Sequence, residues 1–239
     1  MNLIADLLFF AAALALGYAA VLAVARLPVL PVRALTISGP LREVTPAQIA
    51  SAAREAVTGN LFAVDLDAVR AAFSKLPWVR RVEAWRRWPD GIALEIEEHV
   101  AVARWQQADD AEAQLVNSAG EVFAAASDAP LPLLAGPEGT AAAVLARYRE
   151  LLPRVEPLGW RPRSLSLSPR QAWQLQLDDG AVLELGRDQD KSGVNERLQR
   201  FVAAHGQMAG QLRGRIAAVD LRYPNGFAVR LARAGEEGK

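Results

Sequence analysis

The sequence predicts an α+β protein in three parts. A single N-terminal transmembrane helix comes first. A small body of β-α-α-β-β order follows, then a mixed β-sheet body with helices. Three observations carry this reading. Residues 3–25 are almost wholly apolar. Residues 45–98 hold two capped amphipathic helices and then an alternating hairpin. After residue 100, alternating segments recur with tight-turn chemistry and two further helical stripes.

In the first stretch Asp6 is the sole charge. About 20 apolar residues at 1.5 Å rise cross a hydrocarbon core. A soluble helix that is apolar all round at a chain terminus is unusual. Ala23-Val24-Ala25 matches a small-x-small cleavage site, so a removed signal peptide is the rival. However, no basic residue precedes the run, and the run is longer than a signal peptide needs. Ala11, Ala15, Ala19 and Ala23 recur every four residues, a small-residue ridge that suits close helix packing in lipid. Arg26, Arg33 and Arg42 follow the span and no Lys or Arg precedes it. Charge alone would therefore put the bulk of the chain in the cytoplasm, although the rule weakens for long translocated domains.

Pro28 and Pro31 end the helix and open a linker, and residues 32–38 alternate as a strand. Thr45-Pro46-Ala47-Gln48 is a capping box with proline at the first helical position. Ile49, Ala53, Ala56 and Val57 line that helix, and Gly59 stops it. Asp65 or Asp67 caps a second helix with Leu66, Val69, Phe73 and Leu76 inward. Pro77 ends it. Pro89-Asp90-Gly91 then reads as a turn with Ile92, Leu94 and Ile96 on one face of the second strand. A two-residue turn at Asp90-Gly91 sets Arg86 opposite Glu95 and Trp85 opposite Ile96. Arg80, Arg81, Arg86 and Arg87 are then expected to pair across strands with Glu95, Glu97 and Glu98, not to contact nucleic acid.

Beyond Trp105, residues 106–114 read as a loop, and 117–121 as a turn between short strands. Residues 130–137, rich in proline, read as a connector to a helix with Val144, Leu145, Tyr148, Leu151 and Leu152 inward. Residues 163–167 form a strand. Trp173, Leu175 and Leu177 alternate up to a turn at Asp179-Gly180, and 182–185 return. A helix buries Val194, Leu198, Phe201 and Val202. Finally, 216–223 and 227–231 flank Pro224-Asn225-Gly226 as a third hairpin. The expected divisions are residues 1–26 (anchor with almost no cytoplasmic tail), 27–99, 100–233, and a disordered polar tail at 234–239.

Lys+Arg and Asp+Glu both number 27, so net charge gives no support to nucleic-acid binding. The absence of cysteine excludes disulfides and thiolate metal sites. His99 and His205 have no partner at metal or triad spacing, and neighbouring Glu97 and Glu98 face opposite ways on a strand. The tryptophans are expected in the core or at the domain junction. No enzyme activity, cofactor or metal is expected. Binding must carry the function, and the last strand is the best candidate. Phe227, Val229 and Leu231 point one way and Ala228, Arg230 and Ala232 the other. At a sheet edge its main chain is a template for another strand.

Pro77-Trp78-Val79, Trp88-Pro89 and the alternation ending at Glu98 resemble the last two strands of a POTRA domain. The continuation 100–105, then 115–123, Gly136-Pro137-Glu138-Gly139, Trp173-Gln174-Leu175, Leu185-Gly186-Arg187 and Val219-Asp220-Leu221-Arg222-Tyr223 resemble the bacterial FtsQ/DivIB cell-division family, in order and over nearly the whole chain. The resemblance implies a cell inner-membrane protein with a cytoplasmic N-terminal tail, one span and a periplasmic bulk at the division septum. That tail is missing here, so a truncated or misassigned start is expected. It implies a non-catalytic scaffold that binds FtsB, itself paired with FtsL, and regulates septal wall synthesis, with other division proteins as further partners. By match it places partner binding on Arg222, Tyr223, Gly226, Phe227, Ala228, Val229, Arg230 and Leu231. Arg222 would suit an acidic residue of the partner. Leu231 departs from an aromatic seen in some relatives. Two alternatives stay open: a POTRA-containing secretion or outer-membrane assembly component, for which no long barrel follows residue 231, and a cleaved periplasmic protein.

Overall fold

The computed structural model describes residues 3–26, 31–107, 114–188, 193–208, 215–223 and 226–232. The chain divides into two units, Met1–His99 and Val100–Lys239. Helix α1, Leu3–Arg26, is 24 residues long. Its described side chains run from Asp6 to Ala20 and are exposed. Among the described residues no helix is long and apolar enough to cross a membrane.

The rest of the first unit runs β1 (Ala34–Ser38), α2 (Pro46–Ala56), α3 (Leu66–Ser74), β2 (Val79–Arg87) and β3 (Gly91–Glu98). The sheet order is β1-β3-β2, with β1 parallel and β2 antiparallel to the central β3. This is the POTRA arrangement. The capping box starts α2: the Thr45 hydroxyl accepts the Gln48 N–H at 3.3 Å, and Gln48 Oε1 accepts the Thr45 N–H at 2.9 Å. Asp65 caps α3 through the N–H groups of Asp67 and Ala68. Val69 and Phe73 of α3 then pack on Ile92, Leu94 and Ile96 of β3, all buried.

The hairpin differs from the sequence expectation in register. Arg86 lies opposite Ile92, Trp85 opposite Ala93 and Glu83 opposite Glu95. The loop is Trp88-Pro89-Asp90, one residue longer than expected, and Gly91 belongs to β3 instead of the turn. Gly91 is not among the glycines with positive φ. Its lack of a side chain serves approach to β1, since a Cβ there would meet the Ala34 carbonyl oxygen at 3.2 Å. The arginines are also not uniformly ion-paired. Arg80 bonds Glu97 at 2.6 Å. Arg87 donates to the Thr36 hydroxyl at 3.2 Å, and Arg86 turns to the loop after α2, donating to the carbonyls of Leu61, Phe62 and Val64. Glu98 accepts the backbone N–H groups of Arg42, Glu43 and Val44. Two of the tryptophans expected in the core or at the domain junction, Trp85 and Trp88, are exposed.

The second unit holds β4 (Ala101–Gln107), β5 (Gln114–Asn117), β6 (Val122–Phe123), β7 (Leu133–Gly136), α4 (Ala141–Val155), a 3-10 turn (Glu156–Leu158), β8 (Pro162–Leu167), β9 (Trp173–Leu177), β10 (Val182–Gly186), α5 (Val194–Met208), β11 (Ile216–Asp220) and β12 (Ala228–Leu231). They form one nine-stranded mixed sheet in the order β12-β11-β10-β9-β8-β7-β4-β5-β6. The proline-rich stretch that reads as a connector in the sequence holds strand β7, which lies inside the sheet, parallel to both β4 and β8. Four residues between Pro132 and Pro137 are too few to show alternation, and the prolines stand just outside the ladder. Strand β11 ends at Asp220, earlier than expected. On the inner face Trp173, Leu175, Leu177, Leu183 and Leu185 pack with Val144, Leu145 and Leu151 of α4 and Val194, Leu198 and Phe201 of α5.

Candidate functional site

The sheet order leaves β12 at an edge. It pairs antiparallel with β11, Val219 opposite Val229 and Asp220 opposite Ala228, with an extra β11 residue between Ile216 and Ala218. Just past its end, the Ala232 N–H donates to the Arg215 carbonyl at 2.8 Å. Alternation along an antiparallel strand then turns the main-chain groups of Ala228 and Arg230 to β11 and those of Val229 and Leu231 outward. Among the described residues nothing pairs with that outer side. The side chains alternate as the sequence implies: Val229 and Leu231 are half-buried, Ala228 and Arg230 exposed. Pro224 and Asn225, the expected turn before β12, lie outside the described residues.

The strand is fixed at its start by Phe227, half-buried with its ring edge-on to Phe201 at 5.0 Å. Phe201 stacks on Trp160 at 5.7 Å, and His205 meets Trp160 edge-on at 5.2 Å. Trp160 and Phe201 are therefore part of what holds the edge. Nothing in the linear spacing of Trp160, Phe201 and Phe227 signals their meeting. His205 is a packing residue of this aromatic group.

Arg222 is exposed but engaged. Its Nη2 lies 2.6 Å from Asp220 Oδ2, its Nε 2.9 Å from Oδ1, and its backbone N–H 3.0 Å from Oδ1. The Arg222 hydrogen bond holds the Asp220 carboxyl below its ordinary range, and Asp220 in turn raises Arg222. An acid on an incoming chain would meet a guanidinium already shared with Asp220. Gly186, at φ +72°, lies beneath the Arg222 stem, where a Cβ would come 3.0 Å from Arg222 Cγ. Tyr223 is exposed beside it. The Asp220–Arg222 contact is local, whereas Gly186 reaches Arg222 only because β10 and β11 lie side by side.

A groove of about 420 Å³ in the second unit is lined by Gln106, Ser166, Ser168, Trp173, Gln174 and Glu184, among others. Gln174 donates to Glu184 at 2.6 Å. Among the described residues no group of three or more His, Cys, Asp or Glu is placed to hold a metal ion. On α1, Ala11, Ala15 and Ala19 are exposed, and the Ala23 side chain lies outside the described residues.

A body of POTRA topology followed by a mixed sheet with an open edge strand defines a POTRA-containing protein. Comparison with known proteins narrows this class. An FtsQ-type POTRA domain matches residues 30–99, and "Cell division protein FtsQ/DivIB, C-terminal" matches residues 103–222. The chain is 37% identical over 235 residues to the "Cell division protein FtsQ" of Nitrosospira multiformis, covering 96% of each chain. It is 37% identical to that of Burkholderia pseudomallei, covering 97% of this chain and 92% of the relative. It is 38% identical to that of Bordetella pertussis, covering 97% and 91%. The chain belongs to the FtsQ/DivIB family of cell division proteins.

Proposed function

We propose that the chain is a non-catalytic scaffold of the division machinery. Helix α1 anchors it in the cell inner membrane, with its bulk in the periplasm at the septum. It captures the periplasmic C-terminal segment of FtsB, itself paired with FtsL, as an added strand on β12, so linking early and late division proteins and regulating septal wall synthesis. The observation that supports this reading is the outer edge of β12, with the amides of Val229 and Leu231 turned outward. An extended peptide placed there gains main-chain hydrogen bonds, and its alternate side chains meet the surface around Arg222, Tyr223, Gly226 and Phe227. The apolar run 3–25 and the ridge of Ala11, Ala15, Ala19 and Ala23 support the anchor and its packing against a partner's membrane helix.

The test is binding of the full chain, in detergent, to a peptide from the periplasmic end of FtsB. Val229→Pro deletes an outward donor where an edge strand tolerates proline, and Val229→Ala trims the same side chain but keeps the N–H. Binding should fall at least tenfold for the proline variant and much less for the alanine variant. Equal affinities for the two would move the site away from β12.

A further inference from the structure

The POTRA unit carries an aromatic tip that the partner-binding reading does not use. Phe62 and Trp88 meet edge-to-face with ring centroids 6.3 Å apart, yet they stay 52% and 68% exposed. Trp85, on the other side of the same hairpin end, is 44% exposed. These rings are held, not loose. Arg86 grips the carbonyls of Leu61, Phe62 and Val64 at 2.7, 3.2 and 2.8 Å, and the Asn60 side chain accepts the N–H groups of Phe62 and Ala63 at 3.0 and 2.8 Å. A fold that fixes large apolar rings in the open presents them to something.

Their place in the chain says what. Pro31 bridges to Asn60, and the Arg33 N–H donates to the Asp90 carbonyl at 2.8 Å. Both loops of the tip therefore flank the point where the chain enters the unit from α1. Only residues 27–30 separate Arg26 from Pro31, a reach of at most ~18 Å at about 3.6 Å per residue. Arg33 and Arg87 are exposed around the same end. Tryptophan with arginine is the composition of a lipid headgroup boundary, where the indole keeps its body apolar and its N–H wet and the guanidinium meets phosphate. We propose that the Phe62–Trp85–Trp88 tip seats in the headgroup–acyl boundary of the bilayer, with Arg33 and Arg87 against phospholipid phosphates, and so fixes how the POTRA unit stands on the membrane. This inference rests on the reading of α1 as the anchor.

Because the chain has no cysteine, single-cysteine variants carry a unique label. The full chain is placed in phosphatidylcholine–phosphatidylglycerol vesicles with an environment-sensitive fluorophore at A15C in α1, at A63C beside the tip, or at A47C. The last marks the opposite end of the unit, where Glu98 at the far end of β3 holds the Val44 N–H. Shallow spin-labelled lipid should quench A15C and A63C severalfold more than A47C. Phe62→Ser with Trp88→Ser should abolish the A63C quenching and leave A15C unchanged. If A63C is quenched no more than A47C while A15C is quenched, the anchor stands and the tip proposal is wrong, which is also the outcome expected if a protein partner covers the tip. If A15C itself is not quenched, the anchor reading and this inference fall together.

Discussion

Arg222 and Asp220 show how a residue that looks available from sequence is already engaged in the fold. The carboxylate receives three hydrogen bonds from one arginine, and those from the guanidinium are the main cause of its lowered pKa. A carboxyl lowered in the folded state binds fewer protons than in the unfolded chain over the range between the two pKa values. Its contribution is complete above the unfolded value of about 3.9 and is lost as pH falls through the lower folded one. Asp220→Asn removes that dependence. Urea unfolding of the full chain in detergent should therefore show wild type losing stability more steeply than Asp220→Asn as pH drops below about 4, with parallel behaviour above pH 5. Parallel curves through the acid range would mean that the pair is not formed in solution. The same substitution releases Arg222 from its internal partner, so an acidic residue on a bound strand should then bind it with less competition.

At the scale of elements, local chemistry was readable wherever one stretch of chain decides its own conformation. The capping box at Thr45–Gln48, the Asp65 cap, and the alternation of Ile92, Leu94 and Ile96 all appear in place. The alternating side chains of β12 also follow from a pattern of period two, whereas its edge position comes only from the strand order of the folded sheet. What failed depended on distant chain. The register of the hairpin is set by Gly91 fitting against β1, and β7 is a strand because β4 and β8 supply its ladders. The Trp160–Phe201–Phe227 group joins residues from a turn, a helix and an edge strand, with no spacing rule to connect them. For α1, the element-level claim is its ridge. Replacing Ala15 and Ala19 with leucine fills a surface that small residues leave open for a neighbouring helix. In a membrane two-hybrid assay against division-protein spans the double variant should lose association while its expression and membrane fraction stay unchanged. Full association would show the alanines to be mere composition.

Across the whole molecule, each hydrophobic cluster draws its members from one unit. One gathers Phe73, Val69 and Ile92 with their neighbours from the first, and the other gathers Leu175, Leu183 and Phe201 from the second. Cooperative unfolding follows shared cores, so the chain should melt in two transitions, not one. Phe73 and Leu175 are both fully buried. Truncating either to alanine leaves a cavity and costs about 2–5 kcal/mol. Calorimetry of the full chain in detergent should show Phe73→Ala lowering one transition and Leu175→Ala the other. Both substitutions lowering the same transition would make the chain a single cooperative body. The functional consequence can be read in the same samples. If a partner strand adds to β12, it needs only the second core. Phe73→Ala should then keep wild-type affinity for the FtsB peptide at a temperature where its own unit has melted, while Leu175→Ala loses binding as soon as the transition it lowers is crossed.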